Sequence, residues 1–498
     1  MSQHQNAAPA RAKKRRSSES VTAYRVRARA LFATLVAVAI TFASPAPTRA
    51  VDDAKWMFDP AVMVQVSLTI PDSSMEQISC DMGAERPYVA ATFTMTYAKR
   101  GRPTKTYGPT AVTMKVKGQY GSFRCLPAGE KAGLKIKFPS GARPDGLKKL
   151  TLNNMVQDGS MVREVLSYEV FRSLGVAAPR TGYAQVSING TYRGIFLNVE
   201  TMDDVALPRW YPTTQHLYEG SYGGWWGDVG DAFSGHYEVD EGSEAVRTDL
   251  QTLLDTSRNL DPGWYARMHP LADLEQMTKV WAAEWFLGHW DGYSQFITNN
   301  YYLHSDASGR FTMMPWGTDQ AFQWSERYDG SGDHFLFNGC VQDPICHGQY
   351  VDALEFIAGM WRNWRLDRRA DTVYKMVATE SYGVTDVKSF IAARPGEHTT
   401  WINTLPKVPT NLSATTTRSR AGEIRVTWRK PTSSVPITGF ALEYQLSTGA
   451  WTRVQLSSTA TSHTISGLAA GRYTVRIRSL SDGLISPSIT TRSSISVR

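Results

Sequence analysis

The sequence predicts an α+β domain built from two halves, followed by an all-β sandwich. Three observations support this class. Alternating apolar residues dominate from residue 61 to 138, apolar residues recur at helical spacing from residue 274 onward, and short β-like runs between turns fill residues 410–498. The chain has 498 residues, which is enough for two or three domains.

The first fifty residues are predicted to be a secretion signal rather than part of the fold. Basic residues in 11–29 precede an apolar run over 30–43, and small residues end at Ala50, the expected cleavage position. The apolar run is too short to span a bilayer. We therefore expect a secreted or cell-surface protein with no transmembrane segment in its mature chain.

Charge is divided unevenly along the chain. Residues 1–50 contain nine Lys and Arg and one Glu, so the remainder is neutral, with 45 basic and 45 acidic residues. Residues 51–405 carry −9 and residues 406–498 carry +9. No nucleic-acid partner is expected for the acidic part. The basic part predicts contact with an anionic wall polymer or matrix, although a solvated basic face without a partner fits the same charge.

The four cysteines are predicted to form two disulfides, because an even number in an exported chain favours disulfides over a metal site. Their spacing pairs Cys80 with Cys125 across the first sheet and Cys340 with Cys346 in a small loop. The ten histidines include no H-E-x-x-H motif, so a zinc hydrolase is not expected.

Four alternating runs predict the first strands, at 64–70, 90–97, 111–116 and 134–138. In the last of them, Lys135 and Lys137 share one face. The preceding loop contains Gly118 and Gly121, whose backbone would be able to approach a phosphate. A plain hairpin turn explains the same glycines.

A helix over residues 160–174 is expected next, with Ser160 as its N-cap and Gly175 as its stop. Glu164 lies in its first turns, within reach of a lysine on the preceding strand. Strands at 183–188 and 192–199 follow.

The segment that begins at Glu200 is expected to cross to a mainly α half. A nucleotide would lie in the crevice between the halves, with Glu200 beside its base. The aromatic stretch 211–245, with Trp225 and Trp226, is expected to pack on the catalytic lobe; a carbohydrate-binding surface is the alternative. Helices at 350–365 and 370–379 complete this half.

The residues that predict chemistry lie between 274 and 322. A helix ends at Gly288 and Asp291 follows; Asn299 and Asn300 come in the next loop, and Asp319 follows a strand end. Phosphoryl transfer needs these parts in this order: a base for the acceptor hydroxyl, then an amide and an acid that hold Mg²⁺ on the phosphates. Spacing alone fits equally well a turn-capping aspartate followed by a loop aspartate.

Several motifs over residues 62–400 resemble the CotH kinase family, the spore-coat protein H type of atypical protein kinase. They are Val-Lys-Gly-Gln-Tyr-Gly at 116–121, Leu-Lys-Ile-Lys-Phe at 134–138, Met-Val-Arg-Glu-Val-Leu-Ser-Tyr at 161–168, the hairpin at 186–200, Trp-Asp at 290–291, Asn-Asn-Tyr-Tyr-Leu at 299–303 and Pro-Trp-Gly-Thr-Asp-Gln-Ala-Phe at 315–322. The resemblance implies an atypical, two-lobed kinase-like fold. It also implies transfer of phosphate from ATP, with Mg²⁺ or Mn²⁺, to a protein or cell-surface acceptor, often by secreted or spore-surface proteins.

The resemblance also implies roles for single residues. Asp291 would be the catalytic aspartate, Asn300 (or Asn299) the metal-binding amide and Asp319 a metal acid. Lys135 or Lys137 would hold phosphates and pair with Glu164; both lysines remain candidates because they point the same way. The residues expected at the nucleotide are Lys135, Lys137, Glu164, Glu200, Gly118 and Gly121.

Three departures from the family pattern favour an alternative. Gly317 replaces an acid of the Pro-Trp-Asp-x-Asp motif, Lys117 replaces an arginine before the glycine loop, and Glu219 replaces a lysine after Leu-Tyr. Losing an acid weakens divalent-ion binding, so the alternative is a non-catalytic spore-coat or cell-surface protein that retains the fold. We expect Gly317→Asp to be tolerated and to tighten metal binding.

A third function, a polysaccharide hydrolase with an appended sandwich, would use Trp225, Trp226 and paired carboxylates. It fits the pairing of domains but not the order of the motifs.

The last part of the chain resembles a fibronectin type III sandwich. Trp428 lies on an early strand, and Tyr473 is in the position of a tyrosine corner. We expect this domain to be a spacer or a binder. The predicted division is a signal peptide at 1–50, the CotH-like domain at 51–405, a linker at 406–409 and the sandwich at 410–498.

Overall fold

The computed structural model describes residues 53–220, 237–295, 298–323, 334–416 and 420–498. The predicted secretion signal and the pair Trp225 and Trp226 lie outside these residues. Residues 49–498 form one compact unit. In the described ranges, no helix has both the length and the apolar character that a membrane crossing requires.

The first half is a seven-stranded closed barrel in the order β1-β2-β3-β4-β5-β7-β6. The parallel pairing of β1 with β6 closes it, and apolar side chains from all seven strands fill it. The sequence did not indicate β5, because this short strand is buried on both faces and does not alternate. The strands are β1 Met63–Thr69, β2 Val89–Tyr97, β3 Lys105–Lys117, β4 Gly133–Lys137, β5 Lys149–Asn153, β6 Thr181–Ile188 and β7 Thr191–Glu200.

Two helices accompany the barrel: the single turn α1, Asp72–Met75, and the longer α2, Arg163–Ser173. Tyr168 and Phe171 of α2 join the apolar core of the helical half rather than the barrel interior. The prediction of Ser160 as N-cap is wrong. Val162 is the N-cap, without a side-chain cap bond; the first helical N–H, that of Arg163, donates to Asp158 Oδ2 at 2.9 Å rather than to Ser160.

The second half combines a four-stranded sheet, in the order β11-β10-β8-β9, with seven helices in the described ranges. The strands are β8 His216–Gly220, β9 Tyr237–Glu241, β10 Tyr301–Ser305 and β11 Phe311–Pro315. The helices are α3 Thr248–Ser257, α4 Trp264–Met268, α5 Leu274–Leu287, α6 Phe335–Gln342, α7 Pro344–Trp361, α8 Leu366–Val377 and α9 Val384–Ile402. Helix α5 is central: it packs on α7 and β11, and each of its residues from 280 to 287 is buried.

Both predicted disulfides are confirmed. Cys80–Cys125 joins the segment after α1 to the loop after β3. Cys340–Cys346 joins α6 to the first turn of α7.

The C-terminal part is a sandwich of two antiparallel sheets, β12-β13-β16 and β15-β14-β17-β18, with β19 and β20 also paired to β17. Trp428 and Tyr473 lie in its core, and the Tyr473 hydroxyl donates to the Ala469 carbonyl at 3.1 Å, which confirms the tyrosine corner. The strands are β12 Thr410–Thr415, β13 Ile424–Arg429, β14 Gly439–Leu446, β15 Thr452–Ser457, β16 Ser462–Ile465, β17 Gly471–Ser481, β18 Leu484–Ile485, β19 Ile489–Thr490 and β20 Ile495–Val497. The predicted α+β and all-β classes are both confirmed.

The sandwich is docked against the helical half, and its expected role as a spacer or a binder stays a prediction. Trp451 lies in the apolar core of that half. Arg478 is fully buried and donates to Asp352 Oδ2 on α7 at 2.8 Å and to the Gly348 carbonyl at 3.1 Å. On its other side Arg478 faces Glu443 Oε2 at 3.3 Å. A buried charge network therefore joins the two domains.

Candidate functional site

Asp291 lies just beyond the end of α5, where Gly288 terminates the helix in a left-handed conformation with φ 59°. Two amides orient its carboxylate. Asn299 Nδ2 donates to Oδ1 at 3.1 Å, and Asn300 Nδ2 donates to Oδ2 at 2.6 Å. The structure therefore brings together the predicted catalytic aspartate and both candidate amides.

The electrostatic surroundings of Asp291 suit a proton acceptor. Burial raises its pKa to about 7 and the charge of Asp319 acts in the same direction, while the two amides oppose the shift. A base with a pKa near the operating pH combines a large deprotonated fraction with a strong affinity for the proton. His289, two residues earlier, is fully buried, and burial lowers its pKa to about 3, so it is neutral at pH 7.

Asn300 is held against Gly317. Its backbone is left-handed, with φ 53°, and its carbonyl accepts from the Trp316 N–H at 2.8 Å. Because Nδ2 binds Asp291, the amide oxygen faces the turn of Gly317: a Cβ built at residue 317 would lie 2.3 Å from Asn300 Oδ1. Any side chain at residue 317 must displace Asn300. We therefore expect Gly317→Asp to disturb the site rather than to be tolerated.

Asp319 lies in a buried turn after β11 and is 9% exposed. Burial raises its pKa to about 6 and the charge of Asp158 adds to this, while Lys117 and Arg163 lower it. Three residues later, the Phe322 N–H donates to the Leu287 carbonyl at 2.6 Å. The turn that carries Asp319 is thus tied to the helix that leads to Asp291.

The lysine that acts on Glu164 is Lys117, the last residue of β3. Glu164 is buried and accepts from Asn153 Nδ2 at 2.7 Å. Burial raises the pKa of Glu164 to about 8 and the charge of Asp319 adds to this, while Lys117 lowers it. A lysine on a barrel strand facing a glutamate on a helix is the arrangement that positions phosphates in protein kinases.

The expected pairing of Glu164 with Lys135 or Lys137 differs from this arrangement. Lys117 is paired with Gly133, the first residue of β4. Lys135 and Lys137 lie two and four residues farther along that strand, and each two-residue step adds about 7 Å to their distance from Gly133. Sequence reasoning noted Lys117 only as a departure from the family pattern. Its position directly before the glycine loop was the available signal.

Lys135 instead faces an acidic wall on β8 and β9. Burial alone would lower its pKa, but the charges of Asp240 and Glu219 raise it above its ordinary value. Burial and the charge of Asp240 raise the pKa of Glu219 to about 7. Lys137 Nζ lies 6.0 Å from the centre of the Tyr88 ring. Lys135 and Lys137 remain candidates for phosphate binding. A phosphate at Lys135 would compete with the Glu219 carboxylate for this ammonium group.

The glycine loop is closed by its own hydrogen bonds. Gly118 and Gly121 have φ values of 107° and 73°, and Ser122 Oγ accepts from the Gln119 N–H at 3.1 Å. A Cβ on Gly121 would lie 2.6 Å from Gln157 Nε2. Turn geometry and close packing thus account for both glycines, and their contact with a nucleotide stays a prediction.

Glu200 is paired with two arginines, and its place beside the base of a nucleotide stays a prediction. It is buried at the end of β7, where Arg180 Nη2 lies 2.8 Å and Arg209 Nη2 2.5 Å from its Oε1, and Arg180 Nε donates to Oε2 at 3.1 Å. Arg180 and Arg209 therefore form ion pairs with the carboxylate that was predicted to lie beside the nucleotide base.

The donors near Asp291 fit a divalent ion held jointly with a nucleotide. Among the described residues, no group of three or more His, Cys, Asp and Glu side chains is arranged to hold a metal. The candidate donors are instead the carboxylate of Asp319 and the amide oxygen of Asn300, next to the predicted base Asp291. Mg²⁺ typically takes one or two carboxylates and completes its shell with water and phosphate oxygens. Burial raises the pKa values of Asp291, Asp319 and Glu164 by disfavouring their ionised forms, and a bound divalent ion would favour those forms again.

Comparisons with known proteins cover both domains. The family model described as CotH kinase protein matches residues 115–391, which include every candidate residue from Lys117 to Asp319, and that of the fibronectin type III domain matches residues 407–492. Inner spore coat protein H of Bacillus subtilis (strain 168) is 23% identical over 183 residues, 35% of this chain and 50% of that protein. The chain thus spans about half the length of this curated relative.

Solved structures match a smaller part of the chain. The FN1–FN3 domains of chicken CNTN1 are 24% identical over 19% of this chain and 32% of that chain, with a TM-score of 0.17. The fn3 domain of the human collagen alpha-1(XX) chain is 18% identical over 18% of this chain and 85% of that chain, with a TM-score of 0.16. The assignment of the sandwich rests on the family match and on its strand pairing.

Proposed function

This chain belongs to the CotH kinase protein family, and from that membership we propose that it transfers phosphate from ATP to a protein or cell-surface acceptor, using Mg²⁺ or Mn²⁺. The observation that carries the proposal is the cluster of Asp291, Asn300 and Asp319 at the end of α5. It combines a carboxyl that titrates near pH 7 with an amide oxygen and a second buried carboxylate.

Each residue has a defined task in this proposal. Asp291 accepts the proton of the acceptor hydroxyl, and the two amides hold its carboxylate in place for that transfer. Asp319 and Asn300 hold the divalent ion, which when bound neutralises charge on the phosphates. Lys117, facing Glu164, positions the phosphates for in-line transfer.

The proposed location is secreted or cell-surface. The predicted signal in residues 1–50 supports it, and the two disulfides fit an oxidising compartment. The name of the Bacillus subtilis relative supports a coat location in particular. Contact of the basic C-terminal domain with an anionic wall polymer belongs to the same proposal.

The second candidate is a non-catalytic coat or surface protein that retains the fold. Two observations favour it: Gly317 stands where the family has an acid, and Glu219 faces Lys135 where the family has a lysine.

Phosphate transfer decides between the two functions. The mature chain is incubated with γ-labelled ATP and Mg²⁺ or Mn²⁺, alone and with candidate acceptor proteins. We expect labelling in the wild type and its loss in both Asp291→Asn and Asp319→Asn. The exposed Asp261→Asn is the matched control and should label normally. If the wild type neither transfers phosphate nor binds metal–nucleotide, the coat-protein function is favoured.

A further inference from the structure

The end of helix α5 anchors the turns of both candidate aspartates. Asp291 follows the last helical residue, Leu287, by four positions. The turn of Asp319 is attached to the same point, because the Phe322 N–H donates to the Leu287 carbonyl. The geometry of these last carbonyls therefore influences where both carboxylates lie.

Arg394 of α9 binds the two carbonyls just before that point. Its Nε donates to the Phe286 carbonyl at 3.0 Å, and its Nη2 donates to the Trp285 carbonyl at 2.5 Å. The last four carbonyls of a helix have no partner within the helix, and a cation near them is favourable. Arg394 thus completes the hydrogen bonding of the segment that leads to Asp291.

The side chain of Arg394 is held rigidly. It is fully buried, and its guanidinium carbon lies 4.5 Å from the centres of both the Trp285 and the Phe390 rings. Glu397, one turn away on α9, is its ion-pair partner. A planar guanidinium fixed between two rings presents its N–H groups in a single geometry.

Helix α9 also supports the turn of Asp319. Phe390, one turn before Arg394, packs edge-on against Phe322 with the ring centres 5.7 Å apart. Arg394 therefore reaches the Asp291 side of the cluster while Phe390 reaches the Asp319 side.

Glu284 of α5 secures the loop after Asp291 from the opposite side. Its carboxylate accepts from the Tyr293 and Ser294 N–H groups at 3.0 and 2.9 Å, and from Ser294 Oγ at 2.6 Å. Glu284 thus ties the loop after Asp291 to the same helix whose last carbonyls Arg394 binds.

We infer that Arg394 is a positioning residue: it sets the placement of Asp291 relative to Asp319 without touching either. Arg394 lies three residues beyond the range that the CotH kinase family model matches. The catalytic consequence rests on the proposed function, whereas the ordering of the two turns does not.

The test compares Arg394→Lys and Arg394→Met in the full mature chain. Lysine keeps the charge and one donor, whereas methionine keeps only length and apolar packing. Misplacement of reacting groups by an ångström costs about 100-fold in rate. We expect kcat to fall about 100-fold in Arg394→Met, KM for metal–nucleotide to change little, and Arg394→Lys to recover part of the loss. Arg368→Met, an exposed arginine on α8, is the matched control and should behave like the wild type.

Amide hydrogen exchange provides a readout that needs no activity. Under conditions where each variant is folded, Arg394→Met should speed exchange at Phe322 and at residues 288–291 while leaving the barrel strands unchanged. Uniformly faster exchange, or a lysine variant no better than methionine, would overturn the inference. So would local loosening without loss of rate in an active enzyme. An inactive wild type contradicts only the proposed function, because the exchange comparison still decides the role of Arg394.

Discussion

At the scale of single residues, the candidate site combines the buried carboxyls of Asp319 and Glu164 with the half-buried carboxyl of Asp291. Burial raises the pKa of Asp291 to about 7, of Asp319 to about 6 and of Glu164 to about 8. Each folded-state pKa lies above the ordinary value of 3.8 or 4.5, so proton binding favours the native state. The contribution of these groups to stability is fully present below about pH 4 and is lost as the pH rises through 6 to 8.

This titration predicts a pH-dependent response to divalent ions. With nucleotide present, Mg²⁺ should raise the melting temperature more at pH 8 than at pH 5.5, because only the deprotonated carboxylates bind it. Thermal unfolding at both pH values, with and without the ion, measures the difference. Asp319→Asn should abolish it and also abolish metal-dependent nucleotide binding. Equal shifts at the two pH values, or an unchanged response in Asp319→Asn, would exclude Asp319 as a ligand.

Gly317 gives a second residue-scale prediction, opposite to that drawn from the sequence. A side chain at this position meets Asn300 Oδ1, so Gly317→Asp should weaken metal–nucleotide binding by displacing the amide. Gly317→Ala separates the steric effect from the added charge, since it introduces the same Cβ without a carboxylate. Calorimetric titration of both variants measures the affinity. Tighter binding by Gly317→Asp alone would show that the new acid serves as a ligand.

At the scale of elements, the last residue of β3 and the first turn of α2 are proposed to hold the phosphates. The charges of Glu164 and Asp319 act most strongly on Lys117, with Glu219 third, whereas those of Asp240 and Glu219 act most strongly on Lys135. Lys117 therefore interacts chiefly with the cluster, and Lys135 with the acidic wall.

We therefore expect Lys117→Met to weaken metal–nucleotide binding by at least about tenfold, the effect of losing roughly 1.4 kcal/mol. Lys135→Met should have a smaller effect. Titration calorimetry of the two variants, which match in side-chain length, compares them directly. A larger loss of affinity in Lys135→Met than in Lys117→Met would indicate that Lys135 of β4, and not Lys117, contacts the phosphates.

At the scale of the whole molecule, the sandwich and the helical half are predicted to unfold together. Arg478 lies between Asp352 of α7 and Glu443 of β14. Removing one partner of a buried charge pair costs about 3–5 kcal/mol when the other charge is left unpaired. The cost here should be smaller, because Arg476 still pairs with both Glu443 and Asp352. Arg478→Met should therefore lower the unfolding midpoint of both domains, while the exposed Arg429→Met should not. Chemical denaturation with domain-specific probes measures this, and separate transitions in the wild type would contradict it.

The same interface reduces the number of basic side chains that the C-terminal domain presents to a partner. Arg453, Arg476 and Arg478 contribute to the net +9 of residues 406–498, yet all three surround Glu443 at the junction. Fewer positive groups are thus available to an anionic polymer than the composition indicates. Contact with such a polymer remains a prediction.

By itself the sequence determined the elements whose signals are local. Alternation marked β4, helical spacing marked α5, and the run of short strands around Trp428 and Tyr473 marked the sandwich. The even cysteine count and spacing predicted both disulfides. The order of Asp291, Asn300 and Asp319 indicated the candidate cluster only together with the family resemblance, because spacing alone fits capping and loop roles equally well.

Only the tertiary structure decided which distant groups meet. The parallel pairing of β1 with β6 closes the barrel, the charge of Lys117 rather than that of Lys135 acts on Glu164, and Arg394 reaches a carbonyl 108 residues away in sequence. Such contacts leave no periodic pattern in the chain, because each depends on how complete elements pack. Local periodicity sets the faces of strands and helices, and packing of those faces selects the partners that give the site its charge and geometry.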